Sequence, residues 1–91
     1  MDIKPLIKRA RNGDPDAFVS LMEENKAAMY KTAVSILHND ADAADAMQDA
    51  ILLCWRNIKK LRQEKYFKTW LTRILINCCK DIIRKNGGMV Y

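Results

Sequence analysis

The stretch 42-DAADAMQDAILLCW-55 decides how this chain is read. Its apolar residues recur at helical spacing, and its three aspartates do not fall among them. At about 100° per residue, Ala44, Met47, Ile51, Cys54 and Ile58 gather on one side of a helix, the expected core face. Asp42, Asp45, Asp49 and Arg56 gather roughly opposite. Leu52 and Leu53 flank that acidic stripe, one on each side, where solvent is expected. One account makes them stray leucines on a solvated face, or leucines tucked under the N-terminal segment. The other makes the face a docking surface, in which acids pair with a basic partner and leucines provide desolvated anchors.

Working outward, Asp40 is placed to cap this helix, which is expected to run over 40–60. Asp42 and Asp45 lie in its first turns, where the helix dipole favours anions. Before it, Asp14 followed by Pro15 is an N-cap and first-turn pair, and predicts a helix over 15–37. Phe18, Leu21, Met22, Met29, Ala33 and Ile36 form its inner stripe, and His38-Asn39 breaks it. A shorter helix over 3–11 stops at Asn12-Gly13. After the loop 61-LRQEKY-66, a fourth helix spans 66–85 and stops at Asn86-Gly87-Gly88. The expected fold is all-α, a compact bundle of about four helices, with no repeat, low-complexity tract or convincing strand.

The 91 residues are about half hydrophobic, which suits one domain with one core. The longest apolar run, AILLCW at 50–55, falls far short of the roughly 18 residues of a membrane span. The segment MDIKPLIKRARNGD has no apolar core of the kind a signal peptide needs. Three cysteines, two of them adjacent at 78 and 79, do not make a disulfide framework, and a reduced, cytoplasmic setting is expected.

Charge is unevenly spread. Residues 1–37 carry six Lys/Arg against five Asp/Glu, residues 38–58 one Arg against four Asp, and residues 59–91 nine Lys/Arg against two acids. An acidic middle and a basic end point to two different partners: a basic protein surface, and nucleic acid or another polyanion.

The fourth helix supports the second partner. Phe67, Leu71, Ile74, Leu75, Cys78 and Ile82 form its core face. Tyr66, Thr69, Arg73, Asn77, Lys80 and Arg84 line the far side, with Trp70 at the margin. Cations neutralise phosphates, and aromatics stack on bases that are not already stacked in a duplex. The plainer account is a basic face with Trp70 half in the core.

Little points to catalysis. His38, the only histidine, sits at a helix end and suits a capping or surface role. Cys54, Cys78 and Cys79 lack metal-ligand spacing and behave as buried small hydrophobes. Helical aspartates on one face do not wrap a cation as a loop does. No phosphate loop, nucleophile elbow or acid/base pair is present, so no enzyme, cofactor or metal is expected.

Taken together, GDPDAFVSLMEENKAAMYKTAVSIL, DADAADAMQDAILLCWRNI and FKTWLTRILINCCKDIIRK resemble region 2 of bacterial sigma factors, closest to the small extracytoplasmic-function group. The resemblance covers about residues 12–85. It rests on the joint spacing of AF, D..D..QD, F.TWL..I and N...D..R. It implies that the acidic helix docks on the clamp helices of the RNA polymerase β′ subunit, with Asp45, Gln48 and Asp49 on the contact and Leu52 and Leu53 as its apolar borders. It implies that the loop and fourth helix engage the promoter minus-ten element and hold its non-template strand open. Arg62, Gln63, Lys65, Tyr66, Thr69, Trp70, Arg73, Asn77, Lys80 and Arg84 would then meet DNA, with a base flipped into a pocket made by the loop. It further implies an anti-sigma protein, often membrane-anchored, that covers the polymerase face. Two departures stand out: alanines near 43–46 where the family carries acidic or aliphatic residues, and Ile51 where it carries a bulky aromatic. The family's second domain, a helix-turn-helix region 4, has no counterpart before the chain stops past Arg84-Lys85-Asn86, so a piece of a longer factor is expected, with residues 1–91 as region 2. The rival reading is a helical interaction module that never touches DNA. A regulator of double-stranded DNA fits less well, since no compact helix-turn-helix is visible.

Overall fold

A computed structural model describes residues 2–87. Four helices account for most of them: α1 Lys4–Arg11, α2 Pro15–Leu37, α3 Asp40–Asn57 and α4 Phe67–Lys85. Two single-turn 3₁₀ segments, Ile58–Lys60 and Glu64–Tyr66, frame the loop between α3 and α4. There is no strand among the described residues. The expected all-α bundle is therefore what the chain forms.

Helix ends follow local chemistry. The Asp14 carboxylate accepts from the amides of Asp16 and Ala17 at 3.0 and 3.2 Å and caps α2. Arg9 donates to the same carboxylate from Nε and Nη2 at 3.1 and 3.0 Å, locking α1 onto the start of α2. The Ala17 amide, then Arg9, hold the Asp14 carboxyl below its ordinary pKa. Gly13 takes φ +91°, the left-handed geometry that ends α1 and that a side chain resists. His38 adopts φ +53° as the C-cap of α2, its amide donating to the Val34 carbonyl at 2.8 Å.

One cap differs from expectation. Asn39, not Asp40, caps α3, its side-chain oxygen accepting from the Asp42 amide at 2.9 Å. Asp40 is the first helical residue, and its carboxylate accepts instead from the Tyr30 hydroxyl. The reason is positional: His38 in the left-handed region leaves the next residue extended (φ −155°), which is the N-cap geometry. The α-helix of α3 also stops at Asn57, and its last expected turn is 3₁₀. The exit at Gly88 lies outside the described residues.

Contacts between helices set the topology. Phe18 at the start of α2 meets Trp55 near the end of α3, ring centroids 5.0 Å apart, while Tyr30 bonds Asp40 at the other end. So α3 runs back along α2. Asn86, just past α4, donates to Asp42 at 3.3 Å, so α4 runs back along α3. α3 packs on both α2 and α4, α2 also meets α4, and α1 packs on α2 and reaches both 3₁₀ turns.

The core is built from Phe67, Ile7, Leu21, Ile58 and Leu75, all essentially fully buried. Each such side chain contributes roughly 1.5–3 kcal/mol by leaving water. The buried arc of α3 differs from the expected one. Ala43, Ala46 and Ala50 are fully buried with Met47, Cys54 and Ile58, while Ala44 is exposed and Ile51 half-buried. Small residues are favoured there because α3 is sandwiched between two helices, and side-chain size sets how closely helices approach. In α4, Cys79 joins the core and Ile74 is half-buried; in α2, Ile36 is half-buried and Ala17 and Asn25 are buried. Asn25 donates from Nδ2 to the Leu21 carbonyl at 2.8 Å, which satisfies that buried amide nitrogen. All three cysteines are buried. Burial pushes the Cys54 thiol up to about 12 and Cys78 up to about 11, and raises Cys79, so none is poised as a nucleophile at neutral pH.

Candidate functional site

Two surfaces stand out, on the outward faces of α3 and α4. On α3, Asp45, Gln48 and Asp49 are exposed, and neither aspartate forms an ion pair among the described residues. Asp42 stands apart from them: it is half-buried and turned toward Asn86. Leu52 is 49% exposed and Leu53 38%, so neither packs under the N-terminal segment.

Apolar exposure on this side extends beyond those two leucines. Trp55 is 41% exposed, Tyr30 39% and Val19 61%. An open, largely apolar groove runs between α2 and α3, floored by Ala27, Ala44, Met47 and Ile51 and edged by Tyr30 and Gln48. Ala43 and Ala46 lie in the core and take no part in this face, whereas Ala44 opens into the groove. Sequence reasoning missed Trp55, Tyr30, Val19 and the groove. A signal for part of it was present: six consecutive apolar residues at 50–55 wrap the whole circumference of a helix, so some must face outward.

On α4, Thr69, Arg73, Asn77, Lys80 and Arg84 are exposed as expected. Arg84 donates to Asp81 one turn earlier at 3.1 Å, so part of its charge is locally balanced. Arg73 and Lys80 make no ion pair among the described residues. Trp70 is half-buried with its ring 6.0 Å from that of Phe67, so it serves the core as well as the surface.

The loop before α4 is anchored at both ends. Leu61 and Phe67 are buried. The Leu61 amide donates to the Ile58 carbonyl and the Tyr66 amide to the Gln63 carbonyl, both at 3.1 Å. Between the anchors Arg62, Gln63, Lys65 and Tyr66 point outward, with Tyr66 54% exposed and Lys65 Nζ 5.2 Å from the centre of its ring. Glu64 alone turns inward, and Arg11 donates to its carboxylate. The loop and the outer face of α4 thus form one continuous basic and aromatic strip. Among the described residues no three His, Cys, Asp or Glu side chains come together as a metal set, and no helix is long and apolar enough to cross a membrane.

Comparison with known proteins gives the family. The family model for sigma-70 region 2 matches residues 21–88. The extracytoplasmic-function RNA polymerase sigma factor SigW of Bacillus subtilis is 36% identical over all 91 residues, which span 49% of that protein. The RNA polymerase sigma factor NccH of Alcaligenes xylosoxydans is 32% identical over 79 residues, 87% of this chain and 42% of its own. The extracytoplasmic-function sigma-E factor of Haemophilus influenzae is 33% identical over 84 residues, 90% of this chain and 43% of its own. The chain spans about half the length of the curated relatives it matches. With most of its length matched by that model and all of it aligned to a relative of this kind, the chain belongs to the bacterial sigma factor family, in the extracytoplasmic-function group, a family of initiation factors rather than enzymes.

Proposed function

We propose that residues 1–91 act as one region 2 unit with two working faces. The α3 face, Asp45, Gln48, Asp49, Leu52 and Leu53, docks on the β′ clamp helices of RNA polymerase core. The strip from Arg62 to Arg84 recognises the promoter minus-ten element and holds its non-template strand open, with the loop providing the pocket for a flipped base. The observation that carries this is the coexistence on α3 of exposed leucines beside Asp45 and Asp49, which form no ion pair among the described residues, with a cationic, aromatic strip on α4. Acids beside apolar anchors suit a folded basic partner, because the charge steers and the apolar surface holds. Cations beside exposed aromatics suit an opened strand, because phosphates and unstacked bases are both available there.

On this proposal the domain works in the cytoplasm with the polymerase, and an anti-sigma protein, membrane-anchored or not, silences it by covering the apolar α2–α3 side. The test is sequential. The chain is titrated against RNA polymerase core, and the assembled complex is then titrated with the non-template minus-ten oligonucleotide and with its duplex. Saturable core binding followed by preference for the single strand is expected. Core binding with no DNA preference would leave a helical interaction module.

A further inference from the structure

The loop 61–66 is attached to the bundle at its middle as well as at its ends. Its ends are set by buried Leu61 and Phe67, and four of the residues between them face solvent. The one inward group, Glu64, is held by Arg11, the last residue of α1 and 53 positions away in sequence. Both side chains are largely covered, 27% and 21% exposed, unlike the surface pairs Lys26–Glu23 and Arg84–Asp81. Lys8, Asn12 and Lys59 line the same hollow, so Glu64 is a single carboxylate among three cations. Helix α1 lies outside the residues matched by the region 2 model.

We infer that Arg11 and Glu64 are positioning residues for base recognition, making α1 a working part of the site. This rests on the reading that the loop recognises a base. The pair does two things. It fixes the middle of a short loop whose ends are already fixed, so Arg62, Gln63, Lys65 and Tyr66 are held in one arrangement before DNA arrives. It also keeps the loop's only carboxylate away from a surface meant for phosphates, where a free Glu64 would repel the strand. Neither residue need touch DNA.

The test uses the chain assembled on RNA polymerase core, titrated with fluorescent non-template minus-ten oligonucleotides in which each base is varied in turn. Glu64→Gln weakens the anchor by replacing the carboxylate with a neutral amide. It is expected to reduce discrimination between preferred and non-preferred bases by roughly three- to tenfold, the scale of one lost charge-assisted hydrogen bond that is partly screened. Affinity for non-preferred sequences should not fall, because the change removes a negative charge, and amide exchange in residues 62–66 should quicken. Arg11→Gln should lose the same discrimination and also weaken binding to every sequence, because it frees a carboxylate. Exchanging the partners, Arg11→Glu with Glu64→Arg, should restore discrimination, and the single variants should lose it at temperatures where circular dichroism shows them fully folded, which a merely structural role in folding would not predict. Arg62→Ala and Gln63→Ala serve as controls on the loop itself. If they alter base preference while Glu64→Gln does not, the positioning role is overturned and the loop reading stands. If none of these variants alters it, the loop reading fails and this inference falls with it. Should Glu64→Gln not fold, the exchanged pair decides: a flat base preference in the folded double variant overturns the inference.

Discussion

Helices α3 and α4 are built alike and finished differently. Each buries one arc against the same bundle, α3 with alanines, Met47 and Cys54, α4 with Phe67, Leu71, Leu75 and Ile82. Outward, α3 presents carboxylates among half-exposed leucines, while α4 presents Arg73, Asn77 and Lys80 in a strip that begins at Tyr66. Amphipathicity explains why both are helices in a core. It says nothing of why their outer faces differ. On the proposed function, that difference reflects what each face would meet: a folded surface with its own apolar contacts, or a flexible polyanion with stackable bases. Salt separates them in principle, because phosphate contacts release counterions and weaken steeply with ionic strength, while apolar anchors do not.

The comparison can be broken most directly at Asp49. Replacing it with Lys puts a like charge against the proposed basic partner and is expected to weaken binding to polymerase core by about 2–5 kcal/mol. Because Asp49 is exposed and unpaired among the described residues, the melting temperature should hold. Unchanged core affinity in a titration of the folded variant would remove α3 as the docking helix.

The opposite face is probed at Tyr66. Tyr66→Ala should weaken the opened minus-ten strand by about 1–3 kcal/mol while leaving duplex binding and core affinity alone. Trp70→Ala is a less clean probe, since its ring also packs near Phe67 and its loss should lower thermal stability too. Equal loss on single strand and duplex for Tyr66→Ala would reduce the strip to a generic basic face.

Leu52→Ser combined with Leu53→Ser sharpens the contrast between core and interface on a single helix. Core affinity should fall by roughly 1–2 kcal/mol, the range for partly exposed aliphatic anchors. Stability should change by less than the same pair of substitutions would cost inside the bundle. A large drop in melting temperature would show that the leucines hold the fold rather than a partner.

The smallest expected effect concerns the buried side of both helices. Burial lifts the Cys54 thiol from its ordinary 9.0 to about 12, so the folded chain keeps this proton where the unfolded chain gives it up. Stability from this group is therefore whole below pH 9 and is lost as pH rises toward 12. Between pH 8 and pH 9.5 it should cost about 0.8 kcal/mol. Denaturant midpoints at the two pH values, compared with Cys54→Ala, isolate it: the variant should show a shallower decline. An identical slope would mean that the thiol ionises as freely in the folded state as in the unfolded one.

Much of this was legible in the chain itself. Asp14-Pro15, Asn12-Gly13 and His38-Asn39 are local signals, and the helices they bound lie within a few residues of expectation. The two stripes were legible as well, because side-chain direction on a helix follows from spacing alone. Asp45, Asp49, Leu52 and Leu53 did emerge on the outer side of α3, and Arg73, Asn77 and Lys80 on that of α4. The alanines were misjudged for a physical reason. A wheel weighted by large apolar residues drew the core toward Ala44 and Ile51, but a helix pressed between two others buries its smallest residues. Asn39 was passed over as a cap because cap choice depended on the backbone of His38, not on which residue is the better acceptor.

What the sequence by itself determined is what repeats over a few residues: helix limits, the period of each face, and the opposite charge of the acidic middle and the basic end. These depend on bonds and contacts between near neighbours, which spacing encodes. What only the tertiary structure decided is what joins distant segments. Tyr30 and Ile51 come to line one apolar groove only when α3 folds back along α2. Glu64 becomes an anchored residue only when α1 brings Arg11 against it across 53 positions. No local pattern carries such pairings, because the energy that makes them belongs to the packing of the whole bundle.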